Sequence, residues 1–82
     1  MKPTRAMEDH QANQFVVCVN NAGYPASLET RKIYVSLRDA EAARHGLVRV
    51  VDESGEDYLY PEALFRSIEL PPAVRRALLA AA

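Results

Sequence analysis

Tryptophan is absent from this chain, and cysteine, histidine and glycine are scarce, with one Cys, two His and three Gly in 82 residues. A lone cysteine cannot close an internal disulfide, so the expected setting is a reducing compartment and the expected location cytoplasmic. His10, His45 and Cys18 do not stand at metal-ligand spacing, so neither a metal nor any cofactor is expected. No apolar run approaches the roughly 20 residues of a membrane span, so no membrane association is expected. The stretch from Met1 to Asn13 lacks the apolar segment of a secretory signal, and none is expected. Basic residues are not in excess. Ten Lys and Arg against eleven Asp and Glu leave a net charge of −1, without the electrostatic footprint of non-specific nucleic-acid binding. The GxGxxG, P-loop, GxSxG and HExxH patterns are all missing, and the expectation is that the chain is not an enzyme.

What is present is a dense β pattern. The stretch Gly46 to Leu70, GLVRVVDESGEDYLYPEALFRSIEL, organises the rest. Val48, Val50 and Val51 are β-branched and Tyr58 and Tyr60 aromatic, which suits a pleated, half-buried surface. Ser54-Gly55 signals a turn between them, and Pro61, lacking an N–H, ends the ladder. The register decides which side chains are core. A two-residue turn would pair Val50 with Leu59. A three-residue loop, Glu53-Ser54-Gly55, pairs Val50 with Tyr58 and Val48 with Tyr60, and puts Gly55 where a bulge needs positive φ. The second is expected, because it gathers the β-branched and aromatic residues into one cross-strand cluster. Arg49, Val51 and Leu59 then share the other face.

The remaining elements follow from period and punctuation. Residues 1–13 bring no apolar stripe and are expected to be a flexible tail. Phe15 to Val19 form a continuous apolar run of strand length, which implies burial on both faces or nearly so. Turn formers gather at Asn20 to Pro25, and a short strand is possible at Ser27-Leu28. In Arg31 to Leu37, Ile33, Val35 and Leu37 alternate with Lys32, Tyr34 and Ser36, the period of a strand. Asp39 is the expected N-cap of a short helix over Ala40 to His45, closed by Gly46. Pro61 to Phe65 is expected to make one helical turn, and Ser67 to Leu70 a last strand. Pro72 suits the first position of a C-terminal helix in residues 71–82. Its apolar face is read as Val74, Ala77 and Leu78, which would dock on the domain or make a weak dimer; otherwise the chain is a monomer.

Several residue types admit a chemical reading and a structural one. Cys18 lies inside an apolar run, which describes a buried, inert thiol rather than a nucleophile. His45 sits where a helix C-terminus favours a cation. Asp52, Glu53, Glu56 and Asp57 crowd the hairpin without a calcium-loop pattern and read as solvated turn carboxylates. Tyr24, Tyr34, Tyr58 and Tyr60 combine an apolar body with a polar tip, which serves both cores and interfaces.

The stretch Leu59-Tyr60-Pro61-Glu62-Ala63-Leu64-Phe65 resembles the end of a Src homology 3 barrel, where a strand meets a proline, a helical turn and the closing strand. The run VCVNNAGYPASLETRKIYVSL followed by HGLVRVVDESGEDYLYPEALF is similar to small uncharacterised bacterial proteins expected to have that barrel. The resemblance spans about Phe15 to Leu70. It implies a mainly β domain over residues 14–70, a small Src-homology-3-like barrel of about five short strands with a short inserted helix and a short C-terminal helix. It also implies a protein-interaction module. Eukaryotic members hold polyproline in an aromatic groove. Here Pro61 matches, but there is no tryptophan and Leu64 stands where the groove tyrosine would be, so polyproline binding is not carried over. The expected function is non-catalytic binding of a protein partner, with Tyr24, Tyr34, Arg49, Leu59, Pro61 and Leu64 as candidate binding residues. The alternative is an RNA- or ribosome-associated barrel, in which Arg31, Lys32, Arg38, Arg49 and Arg66 interleave with exposed rings to hold nucleic acid.

Overall fold

The computed structural model describes residues 14–81. The tail expected over residues 1–13 lies outside the described residues, as does residue 82. The chain runs through β1 (Gln14–Cys18), β2 (Ile33–Leu37), α1 (Ala40–Arg44), β3 (Leu47–Val51), β4 (Asp57–Pro61), a 3₁₀ turn (Glu62–Leu64), β5 (Phe65–Ile68) and α2 (Pro72–Ala81). The strands form one antiparallel five-stranded sheet in the order β4-β3-β2-β1-β5. The fold is therefore mainly β with two short helices. The sheet is not closed, for β4 and β5 are its edges and do not pair among the described residues.

The hairpin takes the three-residue loop. Val48 lies opposite Tyr60 and Val50 opposite Tyr58. Gly55 has φ +86, and its N–H donates to the Asp52 carbonyl at 2.9 Å, closing the turn. Asp52 N–H donates to the Glu56 carbonyl at 3.0 Å, so the ladder resumes directly beyond the loop. The shared face is only partly core, however. Val50 and Tyr60 are buried and Val48 packs against them, but Tyr58 is 50 % exposed. It sits at the hairpin end of an edge strand, beyond the reach of the interior.

Val16, Cys18, Leu28, Tyr34, Val50, Tyr60, Leu64 and Phe65 make the core cluster. The ladders explain the membership, since Val16 faces Tyr34 across β1 and β2, and Cys18 faces Phe65 across β1 and β5. The thiol is buried and unreactive in setting. Leu28 comes from no strand. The segment at Ser27-Leu28 is a turn, fixed by the Leu28 N–H donating to the Tyr24 carbonyl at 3.0 Å, and it plugs the core with a leucine 1 % exposed. β2 presents Tyr34 and Ser36 to the interior, whereas Ile33 is exposed and Val35 and Leu37 are half-buried on the opposite face.

The connections obey local rules. The Asp39 carboxylate accepts from the Ala42 N–H at 3.0 Å, and Gly46 follows α1 with φ +72. The last strand begins at Phe65, two residues earlier than the sequence pattern suggests, because the 3₁₀ turn ends at Leu64. The α2 face differs from expectation. Arg75, Leu78 and Leu79 are its half-buried positions, while Val74 and Ala77 are exposed. The Arg75 guanidinium lies 5.1 Å from the Phe15 ring centroid, a cation–π contact between α2 and β1. Arg75, outside the apolar face expected of Val74, Ala77 and Leu78, is thus part of the docking face.

Candidate functional site

The site begins with the loop between β1 and β2. Gly23, φ +90, turns the chain, and Tyr24 follows with its ring edge-on to Tyr60 at 4.9 Å between centroids. The loop is tied to the hairpin by the Glu53 N–H, which donates to the Ser27 carbonyl at 3.1 Å. Glu29 N–H donates to the Tyr34 hydroxyl at 2.8 Å, and that hydroxyl donates to Glu53 at 2.5 Å. Loop and hairpin are thereby held at a set spacing, and a groove of about 440 Å³ runs between them, lined by Tyr24, Ser27, Asp52, Ser54, Tyr58, Leu59 and Tyr60.

Its apolar surface is exposed, with Tyr24 at 38 % and Tyr58 at 50 %, while Leu59 borders it at the strand edge with its side chain on the opposite face of β4. Its polar surface is acidic. Asp52 accepts from the Tyr60 hydroxyl at 2.5 Å, from the Ser54 hydroxyl at 2.6 Å and from the Ser54 N–H at 2.8 Å. Burial opposes its charge, but these donors outweigh burial and hold the carboxyl below the ordinary range. Tyr58 donates to Glu56 at 3.0 Å, and that bond leads the causes that raise the Tyr58 hydroxyl pKa. Neither Asp52 nor Glu56 has a cationic partner within ion-pair distance among the described residues.

The cations are elsewhere. Lys32 pairs with Glu53 at 2.6 Å and lies 5.6 Å from the centroid of the buried Tyr34 ring. Arg49 is on the opposite sheet face, between Asp39 at 2.9 Å and Asp57 at 3.0 Å. Hydrogen bonds to Asp39 and then Asp57 raise the guanidinium pKa, and the Ala42 N–H followed by Arg49 lowers that of Asp39. Arg66 donates to the carbonyls of Ala63 and Phe65.

Of the candidate residues, Tyr24 lines this groove and Leu59 borders it at the edge of β4. Tyr34 and Leu64 lie in the core cluster instead, because β2 turns its tyrosine inward and the 3₁₀ turn places its leucine with Phe65 and Tyr60. Arg49 is bound in its ion-pair set, and Pro61 is half-buried opposite Leu47 at the far end of β4. The groove also takes in Ser27, Ser54, Tyr58 and Asp52, the last being not a solvated turn carboxylate but a buried one, 7 % exposed beneath the Tyr60 hydroxyl. The crowding of carboxylates beside tyrosines at the hairpin was the available signal.

Among the described residues, no group of three or more His, Cys, Asp or Glu side chains could hold a metal ion. No helix among them is long and apolar enough to cross a membrane. No protein-family model, curated protein or solved structure matches the chain.

Proposed function

We propose that this chain is a non-catalytic binding module that takes a protein partner in the groove between Tyr24 and β4. One observation carries the reading: exposed Tyr24 and Tyr58 flank a groove over Asp52, Glu56 lies at the Tyr58 hydroxyl, and no Lys or Arg lines the groove. Tyrosine supplies contact area at low entropic cost, and carboxylates without an ion-pair partner favour a cationic ligand. The strand order and the 3₁₀ turn between β4 and β5 support a Src-homology-3-like barrel as the scaffold. Polyproline is not the expected ligand, since Leu64 is buried where that family carries a groove tyrosine and tryptophan is absent.

The RNA-associated alternative calls for cations beside exposed rings, whereas Arg49 and Arg66 lie away from the groove. The test compares capture by wild-type chain, a Tyr24→Ala/Tyr58→Ala variant and an Arg66→Ala variant, with protein and nucleic acid both quantified. A protein retained by wild type and by Arg66→Ala, and lost with the tyrosines, supports the proposal. Nucleic acid lost with Arg66 overturns it.

A further inference from the structure

The open edge of β4 gives this reading a geometry. Antiparallel ladders alternate bonded and non-bonded pairs. At one end of the β3–β4 ladder Asp52 N–H bonds the Glu56 carbonyl, and at the other Glu62 N–H bonds the Gly46 carbonyl. Stepping by two between them makes Val50–Tyr58 and Val48–Tyr60 the bonded pairs. The backbone groups of Asp57 and Leu59 therefore point away from the sheet, as does the carbonyl of Pro61. No hydrogen bond engages the Asp57 or Leu59 backbone among the described residues. Leu59 is the centre of this edge, and its side chain is 41 % exposed.

We propose that this edge pairs with a short extended segment of a partner protein in which an apolar residue is flanked by Lys or Arg. The proposal rests on the protein-binding reading above. An added antiparallel strand exchanges both backbone bonds with Leu59 and extends toward Asp57 and the Pro61 carbonyl. Side chains alternate across it. The residue opposite Leu59 falls on the outer face. Those opposite Tyr58 and Tyr60 fall on the groove side, where aliphatic stems cover the rings and cationic heads meet the exposed Glu56, with the charge of buried Asp52 beneath. A second copy of β4 fits poorly. In an antiparallel pair centred on Leu59, each Asp57 would face a Pro61 that lacks the N–H to complete the exchange, and no cation would reach either groove.

The probe is a short capped peptide of alternating arginine and valine, added to the full chain. Three controls accompany it: the same peptide N-methylated at the valines, a glutamate–valine peptide, and Tyr58→Ala chain. The expected result is saturable binding, with amide exchange at Leu59 slowed about ten-fold or more, as for a newly bonded edge. N-methylation keeps charge and side chains but removes the N–H groups facing β4. It should weaken binding about ten-fold or more, the equivalent of one or two hydrogen bonds. The glutamate peptide should not bind. Equal affinity of the N-methylated peptide overturns edge pairing while leaving the groove reading intact. Edge protection that survives Tyr58→Ala at full affinity keeps edge pairing and removes that ring from the groove reading. Absence of binding, or Leu59 protection that grows with chain concentration alone, overturns the proposal in favour of an unused edge or a second copy.

Discussion

The Tyr60 hydroxyl donates to the Asp52 carboxylate at 2.5 Å across the base of the hairpin, with both residues buried. Its neighbour repeats the device, since the Tyr34 hydroxyl donates to Glu53 at 2.5 Å. Consecutive loop carboxylates are thus anchored by phenols from different strands. The pairing fixes the hairpin against the β1–β2 loop and leaves the outer side of the groove acidic.

These contacts predict loss of stability at both ends of the pH scale. The Asp52 carboxyl is held low by Ser54 and Tyr60 against burial, and that of Glu53 by Lys32 and Tyr34. The unfolded chain therefore takes up protons first as pH falls. This stability is present above the ordinary carboxylate range, about pH 4, and is lost as pH falls through the lower folded values. Tyr34 and Tyr60 shift the other way, raised first by burial and then by their carboxylate partners. Their contribution is present below about pH 10 and is lost as pH rises through the folded values. Urea midpoints measured across pH should fall at both limits. In Tyr60→Phe the alkaline fall should be shallower, because one fewer raised phenol is available to ionise.

Leu28 should behave as core despite lying in a loop. It is 1 % exposed among Val50, Tyr60 and Phe65. Leu28→Ala should destabilise by about 2–4 kcal/mol, as for a buried leucine that leaves a cavity. Thr30→Ala, on the exposed part of the same loop, should change stability by less than about 0.5 kcal/mol. Equal urea midpoints for the two variants would refute this packing.

The contrast between Leu28 and the hairpin shows where sequence reading reaches its limit. The hairpin register was legible because turn length, glycine position and the Val–Tyr pattern are local and agree. Asp39 and Gly46 marked the ends of α1 for the same reason. Leu28, Tyr34 and Leu64 depend on which elements meet in space. β2 carries apolar residues on one face and Tyr34 with Ser36 on the other, and only the position of β1 and the hairpin decides that the second turns inward. Tyr58 repeats the pattern of Tyr60 and differs only in lying where the sheet runs out. The groove was half legible: Tyr24 and Leu59 were candidates, while the role of Asp52 required the bond from Tyr60.

Arg31 carries a backbone penalty that a substitution can remove. It has φ +73, where L side chains are disfavoured, and its N–H donates to the Cys18 carbonyl at 2.6 Å. Glycine keeps that bond without the Cβ conflict. Relief of about 1–2 kcal/mol, offset by about 0.5–1 kcal/mol of added unfolded-state freedom, makes Arg31→Gly neutral to stabilising, by up to about 1.5 kcal/mol. A lower thermal midpoint for the variant would refute the left-handed assignment.

The rotated face of α2 predicts unequal effects along one helix. Leu78 is half-buried against the sheet, and Val74 is 43 % exposed. Leu78→Ala should cost about 1 kcal/mol, part of the value for a fully buried side chain, and Val74→Ala less than about 0.5 kcal/mol. Larger loss at Val74, or a concentration-dependent midpoint that disappears in Val74→Ala, would place a second chain on the exposed face.

Gly55 offers the sharpest test of the hairpin itself. Its φ of +86 belongs to the left-handed region, and nothing lies within 4 Å of where a Cβ would stand. A substitution there meets no neighbour, so any cost is backbone strain alone. Gly55→Ala should therefore destabilise by about 1 kcal/mol, the penalty for placing an L side chain in that region. Gly55→Asn should cost less, because asparagine tolerates the left-handed conformation better than other side chains. The order glycine, asparagine, alanine in urea midpoint, with unchanged dependence on denaturant, is the expected result. If alanine matched glycine, the turn would not require positive φ. The three-residue loop that sets Val48 against Tyr60 would then be wrong, and with it the outward direction of the Leu59 backbone.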